Sequence, residues 1–391
     1  MTSAPHPARF LLDASTRARF GERAQRLGAR LFDGDLAADA AVASLTHLSG
    51  PARNAVVDAA VRAGADAATD APEPLRALVR ACERTPMWAD FDTMNRGGAA
   101  FVRRGLLGGL VLGTYALPAS YCSPAGNKPL TFTGRLETEA PRRLAETGRF
   151  VQLVCQPGAM RPGHPGWVAA VKVRLMHASV RAMCLRSPRW DLRAWGTPIN
   201  QPDTAGTGLL FSWIVLDGLD RLGFGIEGED RHGLLHLWRY ASWVLGVNDD
   251  LLWSSEAEAA SSWDLLRSTQ GPPDEDSRDL VRALLGAGIQ GARTPEERAR
   301  AFRMLPVSHA LTRYFLGVGL ADSLGLPATP LVHAWPALRR FSSVLRTLAR
   351  TVPGVRLGTV EAGSQYWQTV VEQGLRGSPA AFSMPETLRA R

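Results

Sequence analysis

Residues 167–185, WVAAVKVRLMHASVRAMCL, constrain the fold more than any other stretch of the chain. A Pro/Gly-rich loop precedes them and Pro188 follows, so they are expected to form one helix. Apolar residues occupy every side of that helix, and a helix that is apolar all round is buried. The chain is therefore predicted to pack its other elements around a central helix that is shielded from solvent.

The rest of the chain predicts an all-α fold. Apolar residues recur at spacings of three and four, whereas alternating β-branched runs are scarce. Further helices are predicted at 36–48, 52–68, 73–84, 281–290, 309–325 and 331–351. Pro/Gly/Asp-rich stretches predict loops at 85–92, 124–129, 155–166, 195–203 and 268–277. Because no repeat of fixed period is present, one domain over 1–391 is expected.

Composition and charge limit the partners. The 391 residues are 45% hydrophobic and 21% charged, which is typical of a globular protein with a sizeable core. The net charge is +8, but lysine occurs only at Lys128 and Lys172, and the arginines are spread along the whole chain. Nucleic-acid binders instead gather basic residues on one face. A nucleic-acid partner is therefore disfavoured, and no pattern indicates an oligomeric state.

Cysteine spacing and the apolar segments bear on the compartment. The four cysteines form no C-x-x-C pair, which argues against a disulfide framework and a zinc knuckle. The apolar run at 105–122 is short for a membrane span and rich in glycine, so a buried helix is predicted there. The N-terminus has neither an apolar signal stretch nor twin arginines. A cytoplasmic protein without a membrane span is expected.

Three polar side chains are predicted on one face of the central helix. Arg174 lies three positions before His177 and Arg181 four positions after it, so all three project within about 60° of one another. Burying two arginines is costly unless anions meet them. One interpretation is a core histidine bonded to a carbonyl, with the arginines paired to internal carboxylates. The other is haem, whose iron takes a neutral imidazole and whose propionates take cations.

Several motifs follow one another in the order known from one enzyme family. They are P-x-W-x-D at Pro86–Asp90, the tyrosine–proline stretch at Tyr115–Tyr121, T-G-R-L at Thr133–Leu136, R-L-x-x-T at Arg143–Thr147, R-L-M-H-A-x-V-R at Arg174–Arg181, W-G-x-P-x-N-Q-x-D at Trp195–Asp203, L-H-L-W-R at Leu235–Arg239 and L-G-L-P at Leu324–Pro327. Over 85–330 the chain resembles the rubber-oxygenase (latex-clearing-protein) catalytic domain. That family includes an oxygenase that cleaves a farnesyl chain in mycophenolic acid biosynthesis. Segments 1–84 and 331–391 would be helical extensions.

The resemblance implies a globin-like helical core around a non-covalent haem b. It makes His177 the iron ligand, and Arg174 and Arg181 would support the haem propionates or orient the helix of that histidine. It further implies oxidative cleavage of an isoprenoid C=C bond by dioxygen. A cytoplasmic member is expected to act on a small hydrophobic alkene, because a cell cannot import polyisoprene.

The other side of the haem is implied to come from residues 139–150. Rubber oxygenases place there an arginine, a lysine three positions later, and a threonine directly after it. Arg143, Glu146 and Thr147 hold these positions, and Thr147 precedes His177 by thirty residues, as in the family. The family lysine can cap the iron at rest, and its replacement by Glu146 makes such a closed form unexpected.

Glu146 leaves more than one function open. The carboxylate could serve as a distal acid–base, or it could form a surface salt bridge to Arg142 or Arg143. The glutamate that the family uses as a base corresponds, counted without gaps, to Asn127. Alternatives to dioxygen-dependent cleavage are therefore a haem monooxygenase or peroxygenase that uses hydrogen peroxide and Glu146, and a haem-based gas sensor or carrier without turnover.

A second histidine pair is set aside as a site. His232 and His236 have the i, i+4 spacing that zinc ligands can have, but no second such pair accompanies them. His236 is interpreted as a packing residue.

Overall fold

The structure, a computed structural model, describes residues 6–133, 135–336 and 359–378, together with Ala380 and Phe382. Helices account for most of these residues, and none of the described residues lies in a β-strand. The all-α prediction is confirmed. Most of the helix predicted at 331–351 falls outside the described residues, although its first residues belong to a 3-10 turn at Pro330–His333.

The helices of the described residues are labelled in chain order. They are α1 (Ala14–Phe20), α2 (Glu22–Arg30), α3 (Leu36–Ala43), α4 (Gly50–Ala63), α5 (Glu73–Glu83), α6 (Phe91–Val102), α7 (Gly105–Val111), α8 (Leu117–Ser120), α9 (Pro124–Thr133), α10 (Arg135–Cys155), α11 (Pro165–Arg186), α12 (Leu192–Trp195), α13 (Gln201–Phe211), α14 (Trp213–Arg221), α15 (Gly228–Val244), α16 (Glu256–Ser268), α17 (Glu275–Gly291), α18 (Pro295–Leu316), α19 (Val318–Ser323) and α20 (Val360–Leu375). A 3-10 turn spans Asp249–Leu251.

Helix starts are marked by side chains that bind free backbone amides. Asp35 accepts from the Ala38 N–H at the start of α3, and Asp90 accepts from the Asp92 and Thr93 N–H groups at the start of α6. Such bonds satisfy amides that have no partner in a first helical turn. The predicted helices at 36–48, 52–68 and 73–84 thus appear as α3, α4 and α5, with shorter C-terminal ends.

The loop predicted at 124–129 is wrong, because Pro124–Thr133 form α9. Pro124 is tolerated because it lies in the first turn, where its missing N–H would have no helical partner, whereas Pro129 lies inside the helix. The Asn127 Nδ2 donates to the Tyr121 carbonyl (2.8 Å) and to the Ser277 Oγ (3.1 Å). These contacts with other parts of the chain outweigh the local turn signal of proline, glycine and asparagine.

Helix α11 lies at the centre of the fold. Trp167, Val171 and Leu175 on this helix are fully buried, and α3, α4, α10 and α15 pack around it. The prediction of a buried central helix at 167–185 is confirmed. Its N-terminus follows the predicted Pro/Gly loop, and it ends at Arg186, two residues before Pro188.

Helices α6 and α15 cross at two glycines. A Cβ atom added to Gly97 would lie 2.0 Å from the carbonyl carbon of Gly233, and one added to Gly233 would lie 2.4 Å from the Thr93 carbonyl oxygen. Glycine alone fits both positions, because backbone atoms cannot move aside as a flexible side chain can. This close crossing fixes α15, which carries Trp238 into the interior.

The apolar run at 105–122 forms α7 and α8 joined by a π-helical segment, Leu112–Ala116. A π segment widens one helical turn and is frequent at functional sites. No single helix among the described residues is long and apolar enough to cross a membrane. Gly105–Ser120 and Pro124–Phe132 meet that criterion together by length and composition, but they are bent by 102°.

Candidate functional site

A cavity of about 940 Å³ lies inside the helical core, and most of its lining side chains are apolar. Its lining includes several aromatic rings: Tyr115, Phe150, Phe211, Trp238 and Phe315. Four of the six residues predicted for the site also line it: Arg143, Glu146 and Thr147 from α10, and His177 from α11. The cavity therefore brings together the two segments that are thirty residues apart in the sequence.

His177 presents its ring to the cavity from the middle of α11. Its Nδ1 atom is buried and has no hydrogen-bond partner among the residues that the structure describes. Burial lowers the pKa of His177 to about 4, and the positive charges of Arg181 and Arg143 act in the same direction. The imidazole is therefore neutral at neutral pH, which is the form that binds metals.

Arg174 and Arg181 lie outside the cavity lining and pair with two aspartates. Arg174 meets Asp35 at two points, with 2.6 Å between Nε and Oδ2 and 3.0 Å between Nη2 and Oδ1. The Arg181 Nε donates to Asp39 Oδ1 (2.8 Å), and its Nη1 donates to the Ile199 carbonyl (3.1 Å). Both aspartates stand at the N-terminal end of α3, so the two pairs tie α11 to α3.

These contacts place both guanidinium groups on carboxylates of α3, whereas the imidazole of His177 lines the cavity. Helical spacing predicts where a side chain leaves the helix, but a long arginine side chain ends where its partner lies. Burial opposes the charge of Arg174, but the hydrogen bond and charge of Asp35 outweigh it and raise the pKa of Arg174. The interpretation with arginines paired to internal carboxylates is the one that describes Arg174 and Arg181.

Glu146 forms its ion pairs at the cavity wall. Its side chain is buried, its Oε2 accepts from Arg143 Nη1 (2.9 Å), and its Oε1 accepts from Arg142 Nε (3.3 Å). The Thr147 Oγ1 donates to the Arg143 carbonyl (3.0 Å). The salt bridges expected as one alternative for Glu146 thus exist, but not as a surface pair. A buried carboxylate that accepts hydrogen bonds from two arginines can hold their guanidinium groups in position at the cavity wall.

Comparison with known proteins identifies the family. The family described as "ER-bound oxygenase mpaB/B'/Rubber oxygenase, catalytic domain" matches residues 102–353. The chain belongs to this family. The expectation drawn from the ordered motifs is confirmed, although the match begins after the Pro86–Asp90 motif and extends beyond residue 330.

One relative and one solved structure show how much of the chain the family likeness covers. The rubber oxygenase of Streptomyces sp. (strain K30) is 26% identical over 337 residues, covering 81% of this chain and 77% of the relative. A structure of latex clearing protein LCP in the closed state superposes with a TM-score of 0.62 at 24% identity. That superposition covers 88% of this chain and 91% of the other, and it shows a shared fold.

Sequence reasoning missed a polar group in the cavity of this family member. Asp217 and Arg221, one turn apart on α14, form an ion pair with 3.5 Å between Oδ2 and Nη1. Arg221 also donates to the carbonyls of Tyr314 and Phe315 and lies over the Tyr115 ring, 5.3 Å from its centroid. Burial, together with Asp217, raises the pKa of Tyr115. The i, i+4 spacing of Asp217 and Arg221 was the available signal, but it does not distinguish a cavity from a surface.

Two further residues singled out from the sequence have structural partners. The His236 Nε2 accepts from the Asp90 N–H (3.0 Å), and its ring meets Trp88 edge to face at 5.7 Å, which agrees with a packing role. Asn127 lines the cavity, but its Nδ2 is already bonded to Tyr121 and Ser277. Within the described parts of the chain, no group of three or more His, Cys, Asp or Glu side chains could hold a metal ion.

Proposed function

We propose that the protein is a haem b-dependent oxygenase that cleaves a C=C bond of a small hydrophobic, isoprenoid-like alkene with dioxygen. Membership of an oxygenase family supports the reaction class, and the relative named rubber oxygenase supports an alkene substrate. The observation that carries the proposal is His177, a neutral imidazole that faces a large, mostly apolar cavity.

The donor set of the cavity fits haem better than a bare metal ion. A bare ion needs several protein ligands, and the described residues offer no such cluster. One imidazole suffices for an iron that brings its other ligands with it, as haem iron does. The cavity of about 940 Å³ is at the upper end of the roughly 300–1,000 Å³ typical of ligand sites. This size leaves room for a cofactor together with a small substrate.

With haem bound, the residues that line or support the cavity would have different roles. Bound haem supplies the redox-active iron at which dioxygen reacts. His177 would hold that iron, while the Arg174–Asp35 and Arg181–Asp39 pairs keep α11 in place and so orient the imidazole. The apolar walls would hold the alkene and exclude water.

The polar side chains of α10 would act on the reacting oxygen and would not hold the iron. Arg143 would donate hydrogen bonds to oxygen, and Glu146 would hold Arg143 in position through the 2.9 Å contact. Both oxygen atoms enter the two carbonyl products of the cleavage, so the net reaction consumes no further reductant.

The proposal is tested by the absorption spectrum of the purified protein after reconstitution with haem. We expect a Soret band that shifts on addition of dithionite and carbon monoxide, and carbonyl products from isoprenoid alkenes detected by mass spectrometry. Absence of a Soret band after reconstitution would reject the haem assignment. A Soret band without turnover of any alkene would favour a gas-binding protein.

A second function, a haem monooxygenase or peroxygenase, is favoured by the buried position of Glu146 beside Arg143. Its carboxylate would move a proton to or from peroxide. Glu146→Gln is then expected to lower peroxide-driven turnover by about 100-fold, the usual size of a lost acid–base contribution, without loss of haem. The control is Glu275→Gln, which alters an exposed i, i+3 pair with Arg278. Turnover with dioxygen but not with peroxide would reject this second function.

A further inference from the structure

The C-terminal helix α20 packs along α10, the helix that carries Arg143, Glu146 and Thr147. A Cβ atom added to Gly374 would lie 2.4 Å from the Ala145 Cβ, so the two helices touch at the residue directly before Glu146. Val371 and Leu375 on α20 form a buried cluster with Ala145. The position of α10 in the cavity wall therefore depends on α20.

Helix α20 is also held by contacts with α6. A Cβ atom added to Gly363 would lie 1.8 Å from the Val102 carbonyl oxygen. Trp367 is buried, and its ring centroid lies 5.5 Å from that of Phe101. Anchored on both α6 and α10, α20 is an integral part of the core and not an appendage on its surface.

Beyond α20, the chain reaches the cavity itself. Ala380 packs against the Ala145 cluster, and Phe382 lines the cavity. The Phe382 ring lies 6.1 Å from that of Phe150, which in turn lies 6.2 Å from Trp238. Trp238 stacks on Phe211 at 4.7 Å. These four rings form a continuous aromatic row along one wall of the cavity.

We propose that α20, Ala380 and Phe382 form the substrate-specificity element of this cavity, in which Phe382 sets the length of apolar chain that fits. This inference rests on the proposed function. An apolar chain gains free energy from each carbon that it buries against such a wall, until a side chain blocks its path. Phe382 stands at the end of the aromatic row and lies outside the matched family range of 102–353. Specificity would thus be set by a segment that the family range does not include.

The experiment compares the preference for substrate length in four forms of the haem-loaded protein: wild type, Phe382→Ala, Phe382→Trp and the control Phe302→Ala. Phe302 is an exposed phenylalanine on α18 that does not line the cavity. Linear isoprenoid hydrocarbons with two, three and four isoprene units serve as probes. Dissociation constants come from isothermal titration calorimetry, which needs no reporter side chain, and product formation is followed by mass spectrometry.

We expect Phe382→Ala to shift the preference towards longer chains and Phe382→Trp towards shorter ones. The ratio of dissociation constants for long and short probes should change by about tenfold or more, since one methylene in an apolar pocket is worth roughly 10–200-fold. The control should keep the wild-type ratio. Phe382→Leu provides a milder test if the alanine variant unfolds.

The outcomes separate this inference from the function on which it rests. If wild type binds and converts the alkenes, but the length profile is the same in every Phe382 variant, the specificity role is rejected and the proposed function stands. If wild type binds none of the probes, the proposed function fails, and the inference fails with it.

Discussion

His177→Ala is expected to abolish haem binding while leaving the helical fold intact. His177 is the imidazole that lines the cavity, and among the described residues no other histidine lines it. Even the loss of a residue that only supports a metal ligand weakens binding by about 10–100-fold, so loss of the ligand itself should cost at least as much. Haem titration followed at the Soret band measures the affinity, and far-ultraviolet circular dichroism checks the fold.

The matched control is His164→Ala, which removes an exposed histidine just before the same helix. It should bind a full complement of haem. His177→Gly with added imidazole provides a further check, because a free imidazole in the vacated space should restore the Soret band. An unchanged spectrum in His177→Ala would show that another group holds the iron.

Asp35→Asn should strongly destabilise the folded protein. The Asp35 and Arg174 side chains are only 11% and 13% exposed, so removal of the carboxylate charge leaves a buried arginine without its counterion. Breaking one partner of a buried ion pair typically costs about 3–5 kcal/mol. Asparagine is as good an N-cap as aspartate, so the start of α3 should be kept. Urea unfolding of the haem-free protein at pH 7 measures the change.

Two further variants isolate the contribution of the buried Asp35–Arg174 pair to the free energy of unfolding. Asp66→Asn alters an exposed partner of Arg80, and its free energy of unfolding should change by less than about 1 kcal/mol. Adding Arg174→Met to Asp35→Asn should recover much of the lost stability, since an apolar replacement removes the unpaired charge. Because the Arg181–Asp39 pair still ties α11 to α3, the double variant should keep the imidazole in place and bind haem as wild type does. A large loss of haem affinity in that stable variant would instead assign Arg174 to a propionate.

Local sequence patterns predict the central helix well, but they cannot predict which partners the guanidinium groups of its arginines reach. The prediction of α11 needs only apolar periodicity and the flanking Pro/Gly signals, which act within a few residues of the chain. The partner of Arg174 is 139 residues away in sequence, and Asp35 reaches it only because α3 packs against α11. The end point of a long side chain is decided by such packing, which a single helix does not encode.

The same limit explains the other differences. The turn signal at 124–129 does not include the bonds from Asn127 to Tyr121 and Ser277, which exist only in the folded chain. Phe382 offers no signal at all, because a lone phenylalanine near a C-terminus has no helical period or motif around it. The family resemblance, in contrast, names four residues that line one cavity, since ordered motifs carry information about tertiary structure that periodicity lacks.

Because of the π-helical segment at Leu112–Ala116, the shape of the cavity depends on the number of residues in this helix as well as on the side chains that line it. A π segment is in effect one extra residue in an α-helix. Deleting a single residue there would return this turn to regular α-helical winding, while the helical residues on either side would keep close to their present faces. Tyr115 lies inside the widened turn and stacks on Phe315 at 4.7 Å, so its ring would move and lose that contact. Deleting one residue of the segment that does not line the cavity could thus reshape the cavity wall around Tyr115 and Phe315 without changing any residue that lines it, a route to new substrates that substitution alone does not offer.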